Sequence, residues 1–272
     1  MRYLFGYWPE IRKNIGKKFI MLCLDYDGTL TPIVDTPDKA VLQKDTKEVL
    51  YRLSKASDFK LVIISGRAVR DVKRMVNLDR ITYIGNHGLE IEDERIKFKK
   101  QSFSKLRVLI EKIKKILNER LREIKGVFVE DKGLNLSLHY RLADKKDLTK
   151  IKNTFDEVTQ PYLTKNRIKI SFGKKVFEVR PPLDWDKGKA ILWLLKRQRS
   201  SLKREFFPIY IGDDLTDEDA FFILRDKGLT VFVGRVQPSH AEYYLRDCED
   251  VFRFLKVLNS QFRRDDKSKR AI

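Results

Sequence analysis

Asp25 and Asp27 flank a single tyrosine in the run Leu22–Cys23–Leu24–Asp25–Tyr26–Asp27–Gly28–Thr29–Leu30. Carboxylates this close repel one another unless a cation or a phosphoryl group compensates them. One of them can attack phosphorus as a nucleophile, giving an aspartyl-phosphate. The other can protonate the leaving oxygen and then activate water. Gly28 permits a tight loop whose N–H groups can hold phosphate oxygens. A bare Asp-x-Asp also occurs in surface turns, so the decision rests on what accompanies it.

Three further clusters have the types that such chemistry needs. Ser65–Gly66–Arg67 offers a hydroxyl at a helix start, which suits an anion, a helix cap or both. Lys187, in Asp186–Lys187–Gly188–Lys189, can balance a phosphate and two acids, with Lys189 as the competing candidate. Gly212–Asp213–Asp214–Leu215–Thr216–Asp217–Glu218–Asp219 holds five acids in eight residues of a chain with net charge +19. A helix cap uses one or two of them. The surplus fits a hard cation such as Mg²⁺, with Asp213 paired with Asp25 as ligand and Asp217 ordering a water or the loop. Together the clusters describe a magnesium-dependent phosphatase or phosphotransferase. The Gly-rich triphosphate loop is missing, which argues against a nucleotide triphosphatase of that kind.

The elements that position these groups follow from periodicity. Apolar runs at Phe19–Leu24, Phe59–Ile64, Ile81–Ile84, Phe206–Ile211 and Leu229–Val233 read as buried strands. Helical patterns at Lys44–Leu53, Val69–Val76, from Trp185 or Asp186 to Leu195, at Thr216–Leu224 and at Val251–Phe262 alternate with them. That is a doubly wound α/β pattern, in which ligands bind beyond the strand ends. Between its halves lie a long amphipathic helix at Ser104–Ile124, strands at Val127–Asp131 and Leu134–Tyr140, a helix from Asp144 to about Val158, and strands at Ile168–Phe172 and Lys175–Val179. The middle therefore reads as an inserted α/β domain closed by Pro181–Pro182. The tail from Arg263 is expected to fray.

Composition narrows the class. Of 272 residues 42% are hydrophobic, enough for a packed core, and no apolar run is long enough to span a membrane. The first residues lack a signal-peptide pattern, so a cytoplasmic location is expected. Two cysteines and three histidines build neither a disulfide framework nor a zinc site. The 58 basic residues are spread along helices apart from the tail Arg263–Arg270, and no nucleic-acid-binding motif accompanies them. Nucleic acid is therefore not the expected partner.

DYDGTL, SGR, a Lys-Gly pair and GDDLTDED resemble the four motifs of haloacid dehalogenase-like phosphatases, over nearly the whole chain. The resemblance implies a Rossmann-like core from residues 1–91 and 182–272, with a mobile sugar-recognising cap from 92–181. By position it implies Asp25 as nucleophile and Asp27 as general acid and base. Ser65, Gly66 and Lys187 would contact phosphate. Asp25, the Asp27 carbonyl and Asp213 would hold Mg²⁺, with Asp214 and Asp217 close by. The strings Gly85–Asn86–His87–Gly88–Leu89–Glu90, Val129–Glu130–Asp131–Lys132, His139–Tyr140–Arg141 and Gly173–Lys174–Lys175–Val176–Phe177–Glu178–Val179–Arg180–Pro181 resemble trehalose-6-phosphate phosphatases. That family implies Glu130, Lys132, His139, Arg141 and Glu178 as sugar contacts in the cap. Arg67, Asn86 and His87 would lie near the sugar phosphate. Carboxylates and cations do pair with sugar hydroxyls, although a solvated sheet face would also account for Glu130, Lys132 and Glu178. The expected partner is a small-molecule sugar phosphate, and the expected form a monomer. The rival readings are a phosphatase for sucrose phosphate, a glycosyl-phosphoglycerate or a hexose phosphate, and a non-catalytic polyanion-binding or regulatory protein.

Overall fold

The computed structural model describes residues 1–16, 18–99, 104–133, 135–202 and 205–269. In chain order its elements begin with β1 (Arg2–Tyr3), α1 (Leu4–Ile15), β2 (Phe19–Asp25), α2 (Lys44–Lys55), β3 (Phe59–Ile64), α3 (Val69–Val76), β4 (Thr82–Gly85), β5 (Glu90–Glu92) and β6 (Lys97–Lys99). The middle contributes α4 (Ser104–Leu121), β7 (Phe128–Asp131), β8 (Leu136–His139), α5 (Leu148–Leu163), β9 (Lys169–Gly173) and β10 (Val176–Arg180). The chain then forms α6 (Lys187–Leu202), β11 (Phe206–Gly212), α7 (Glu218–Leu224), β12 (Leu229–Val233), β13 (Tyr243–Leu245) and α8 (Cys248–Lys269). Leu134 and the side chains of Leu106 and of the basic tail lie outside the described residues.

Two compact units result, Met1–Lys99 with Trp185–Ile272 and Lys100–Asp184. The first is built on a sheet in the order β1-β13-β12-β11-β2-β3-β4-β5-β6, parallel through β4 and antiparallel at β5 and β6. Residues of β2 alternate between two apolar layers. Ile20, Leu22 and Leu24 join the layer of α1, α2, α3 and α8. Met21 and Cys23 join that of α6 and α7. Burial on both faces is why the strand reads as an unbroken apolar run, and each such aliphatic side chain contributes about 1.5–3 kcal/mol. The boundary expected at residue 92 lies after Lys99, because Glu90–Glu92 pairs with Tyr83–Gly85 and Lys97–Lys99 pairs back on it, extending the core sheet. The return expected at residue 182 lies at Trp185. The Lys169 ammonium donates to the Leu183 carbonyl at 3.1 Å and ties that stretch to the second unit.

The second unit is an antiparallel sheet, β7-β8-β10-β9, with α4 and α5 on one face. Leu136, Leu138, Phe177 and Val179 point at Ile110, Ile113, Leu117 and Phe155 of the helices. Period-2 alternation then sends Ser137, His139, Glu178 and Arg180 to the other face.

Candidate active site

Asp25 closes β2 on the same side as Met21 and Cys23, the side covered by α6. Lys187 is the first residue of α6, so the strand end and the helix start converge. Lys187 Nζ donates to Asp25 Oδ1 at 2.6 Å and to Asp217 Oδ1 at 2.7 Å. Lys189 instead faces Asp186 Oδ2 at 3.4 Å, and Asp186 caps α6 by accepting from the Lys189 N–H at 2.7 Å.

The acid-rich run divides its labour. Asp214 accepts from the Thr216 N–H and caps the short 3₁₀ turn Leu215–Asp217, with Asp217 closing a reciprocal capping box. Asp217 is fully buried and committed on both oxygens. Oδ1 takes Lys187 and the Tyr210 hydroxyl at 2.6 Å, and Oδ2 takes the N–H groups of Asp213 and Asp214 at 3.0 Å each. It thus fixes the loop that carries Asp213. Glu218 holds the Ser239 hydroxyl and the His240 N–H.

Carboxylate oxygens of Asp25, Asp213 and Asp217 lie within 4.8 Å of one another, all buried. Lys187 is the ammonium that faces Asp25 and Asp217 among the described residues. Burial pushes the Asp25 carboxyl well above the usual range; Lys187 opposes this, and Asp217 and Asp213 add to it. Burial alone would lower the Lys187 ammonium, but Asp217 and Asp25 outweigh it and hold it above its ordinary value. The negative excess and the oxygen donor set fit a hard divalent cation. The cradle is also shaped for close approach. Gly28 sits at φ +91°, and a Cβ there would fall 2.2 Å from Asp213 Oδ2.

Asp27 lies outside this triad. Its carboxylate is gripped by the Arg67 fork, Nε to Oδ2 at 2.7 Å and Nη2 to Oδ1 at 2.6 Å, and Arg67 also donates to the Pro37 carbonyl at 3.0 Å. Ser65 Oγ accepts the Arg67 N–H at 3.0 Å, a cap at the strand end. Asn86 and His87 fold under this loop. Their N–H groups donate to the carbonyls of Arg67 and Ser65 at 2.7 and 3.1 Å, and both adopt left-handed φ, 49° and 54°. A Cβ at Gly66 would stand 2.6 Å from the His87 ring, so this glycine is required by packing.

In the second unit Glu130, Lys132, His139 and Glu178 come together on the sheet face opposite the helices. His139 Nε2 lies 2.8 Å from Glu130 Oε2, and the His139 ring stacks on Phe128 at 4.5 Å. Lys132 Nζ lies 3.7 Å from Glu130 and 3.4 Å from Glu178. Three unforeseen residues join the network. Ser137, Ser171 and Arg180 all donate to Glu178, at 3.2, 3.2 and 2.5 Å. Cross-strand register brings them in, since Glu178 pairs with Ser137 on one side and Ser171 on the other. Arg141 is not brought to this network: it follows β8 and donates to the Lys174 carbonyl at 2.5 Å in the β9–β10 turn. Tyr210 was also unforeseen, and its position on the Cys23 face of the sheet is the signal available.

The profile of the family described as trehalose-phosphatase matches residues 23–249. Trehalose-phosphate phosphatase B of Arabidopsis thaliana is 37% identical over 265 residues, covering 92% of this chain and 69% of the relative. The C-terminal domain of the Candida albicans trehalose-6-phosphate phosphatase superposes with a TM-score of 0.79 at 25% identity, covering 93% of this chain and 96% of that one. The C-terminal domain of a trehalose synthase regulatory protein from Candida albicans gives 0.70 at 14% identity, covering 94% and 98%, a likeness of fold alone.

Proposed function

The chain belongs to the trehalose-phosphatase family, and from that premise we propose that it hydrolyses trehalose 6-phosphate to trehalose and phosphate through an aspartyl-phosphate on Asp25. The observation that carries this reading is the Asp25 carboxylate at the tip of β2, hydrogen-bonded to Lys187 beside the buried Asp213.

Asp25 attacks phosphorus while Lys187 holds the carboxylate in place and offsets the charge of the incoming phosphate. Asp27 protonates the departing sugar oxygen, then takes a proton from the water that cleaves the acyl-phosphate. Before it can act it must share or release the Arg67 fork, which keeps it aimed meanwhile. Ser65 and the N–H of Gly66 suit phosphate oxygens. Asp25, Asp213 and the backbone carbonyl of Asp27 would hold Mg²⁺, which supplies charge neutralisation for phosphate and nucleophile. Asp217 fixes Asp213 and Lys187 rather than meeting substrate. The Glu130, Lys132, His139 and Glu178 cluster takes the sugar hydroxyls, with Arg180 and the two serines orienting Glu178. Among the described residues no helix is long and apolar enough to cross a membrane.

Phosphate release with Mg²⁺ tests this across trehalose 6-phosphate, sucrose 6-phosphate, glucose 6-phosphate, mannose 6-phosphate and a glycosyl-phosphoglycerate. Trehalose 6-phosphate should lead by about two orders of magnitude in kcat/KM, and Asp25→Asn should lower kcat by about four orders or more. Equal, slow turnover of the whole panel would retain the reaction and overturn the substrate. Unimpaired Asp25→Asn would overturn the mechanism.

A further inference from the structure

Lys60 stands at the second position of β3, about 13 Å along the strand from Ile64, at the end of the strands opposite Asp25. There a hollow of about 310 Å³ opens between the start of β3, the segment entering β4, the β5–β6 turn and α6. Arg80, Arg95 and Arg197 line it from three of these segments. Among the described residues none of the three has a carboxylate partner. Arg197 is instead stacked on the Trp193 ring at 5.6 Å. Arg80 is held at φ 62°, a left-handed conformation that a long side chain adopts at some cost.

The acids nearby do not absorb this charge. Asp93 already takes the Lys60 ammonium at 2.9 Å, the Thr82 hydroxyl at 3.0 Å and the Arg95 N–H at 2.8 Å. Glu94 is exposed and forms no ion pair among the described residues. With Lys60 and Asp93 cancelling, three guanidinium groups against the Glu94 carboxylate leave the lining at +2. Gln198, 9% exposed, also lines the hollow, and its amide has no hydrogen bond among the described residues and is open to solvent there. Planar guanidinium forks match phosphate oxygens, and a side-chain amide suits a hydroxyl or an ester oxygen.

We propose that this hollow is a second binding site, for a phosphate-bearing small molecule, separate from the Asp25 centre. Isothermal titration calorimetry in Mg²⁺-free buffer isolates it, because the uncompensated carboxylates around Asp25 then repel anions. The probes are inorganic phosphate and glucose 6-phosphate. One saturable site per chain is expected. The variant Arg80→Gln/Arg95→Gln/Arg197→Gln should weaken it by about tenfold or more, while Lys150→Gln/Lys165→Gln/Arg225→Gln, which removes equal charge elsewhere, should not. Tighter binding of glucose 6-phosphate, lost in Gln198→Leu, identifies a phosphate ester as the ligand; equal affinity for the two probes identifies free phosphate. Equal weakening in both triple variants, or no saturable binding to the folded wild-type chain, overturns the proposal. Neither result bears on turnover at Asp25, which is measured separately.

Discussion

Asp25 is a carboxylate whose proton is held more tightly in the folded chain than in the unfolded one, because of burial first and its acidic neighbours second. The sign of its effect follows. Stability that accompanies the protonated carboxyl is fully present below the unfolded value of about 4 and is lost as pH rises through the higher folded value. In metal-free protein, calorimetry should therefore find that Asp25→Asn raises Tm at pH 7 by a few degrees, with the gain shrinking toward about pH 4. No gain at pH 7 would mean that Lys187 already neutralises the cluster. The carboxylates that end apolar runs were legible as candidates for chemistry because four clusters of the needed types coincide at strand ends and a helix start, where a lone Asp-x-Asp would equally suit a surface turn. The Arg67 grip on Asp27 was not, since its partners lie 40 residues apart and nothing in either local pattern points to the other.

At the scale of elements, α8 starts with a built cap. Asp247 accepts the Asp250 N–H at 2.9 Å, and Asp250 takes the Arg246 fork at 2.6 and 2.8 Å and the Tyr3 hydroxyl at 3.1 Å. The Arg246 hydrogen bonds hold the Asp250 carboxyl down at about 2. Its contribution is present above the unfolded value and lost as pH falls through about 2. Asp250→Asn should cost about 1 kcal/mol at pH 7 in urea unfolding, a modest figure because Arg246 is solvent-screened, and nothing once the pH is below both values. In the second sheet, Glu178→Gln should raise KM for trehalose 6-phosphate by about tenfold while leaving hydrolysis of p-nitrophenyl phosphate nearly unchanged. An equal loss on both substrates would assign Glu178 to folding rather than to the sugar. Long periodic elements were legible almost to the residue, as Phe59–Ile64 and Val69–Val76 illustrate. Strands β1, β5, β6 and β13 were not, because two or three residues carry no period and their pairing is decided by distant partners.

For the whole molecule, a net charge of +19 accompanies an anionic substrate. Such a field speeds encounter and is screened by salt. Between about 20 and about 200 mM NaCl, kcat/KM for a sugar phosphate should fall several-fold while kcat stays level. A salt-independent kcat/KM would show that chemistry, not capture, limits the reaction.

The core sheet joins two separated stretches, with β2 pairing on one side to β3 and on the other to β11. This has a consequence for how the chain is made. As it leaves the ribosome, residues 100–184 form a contiguous stretch that can close its own sheet early. Strand β2 must wait, with one hydrogen-bonding edge bare, until Phe206–Gly212 has been synthesised. That open edge is the point in the life of the chain at which a chaperone has most to protect.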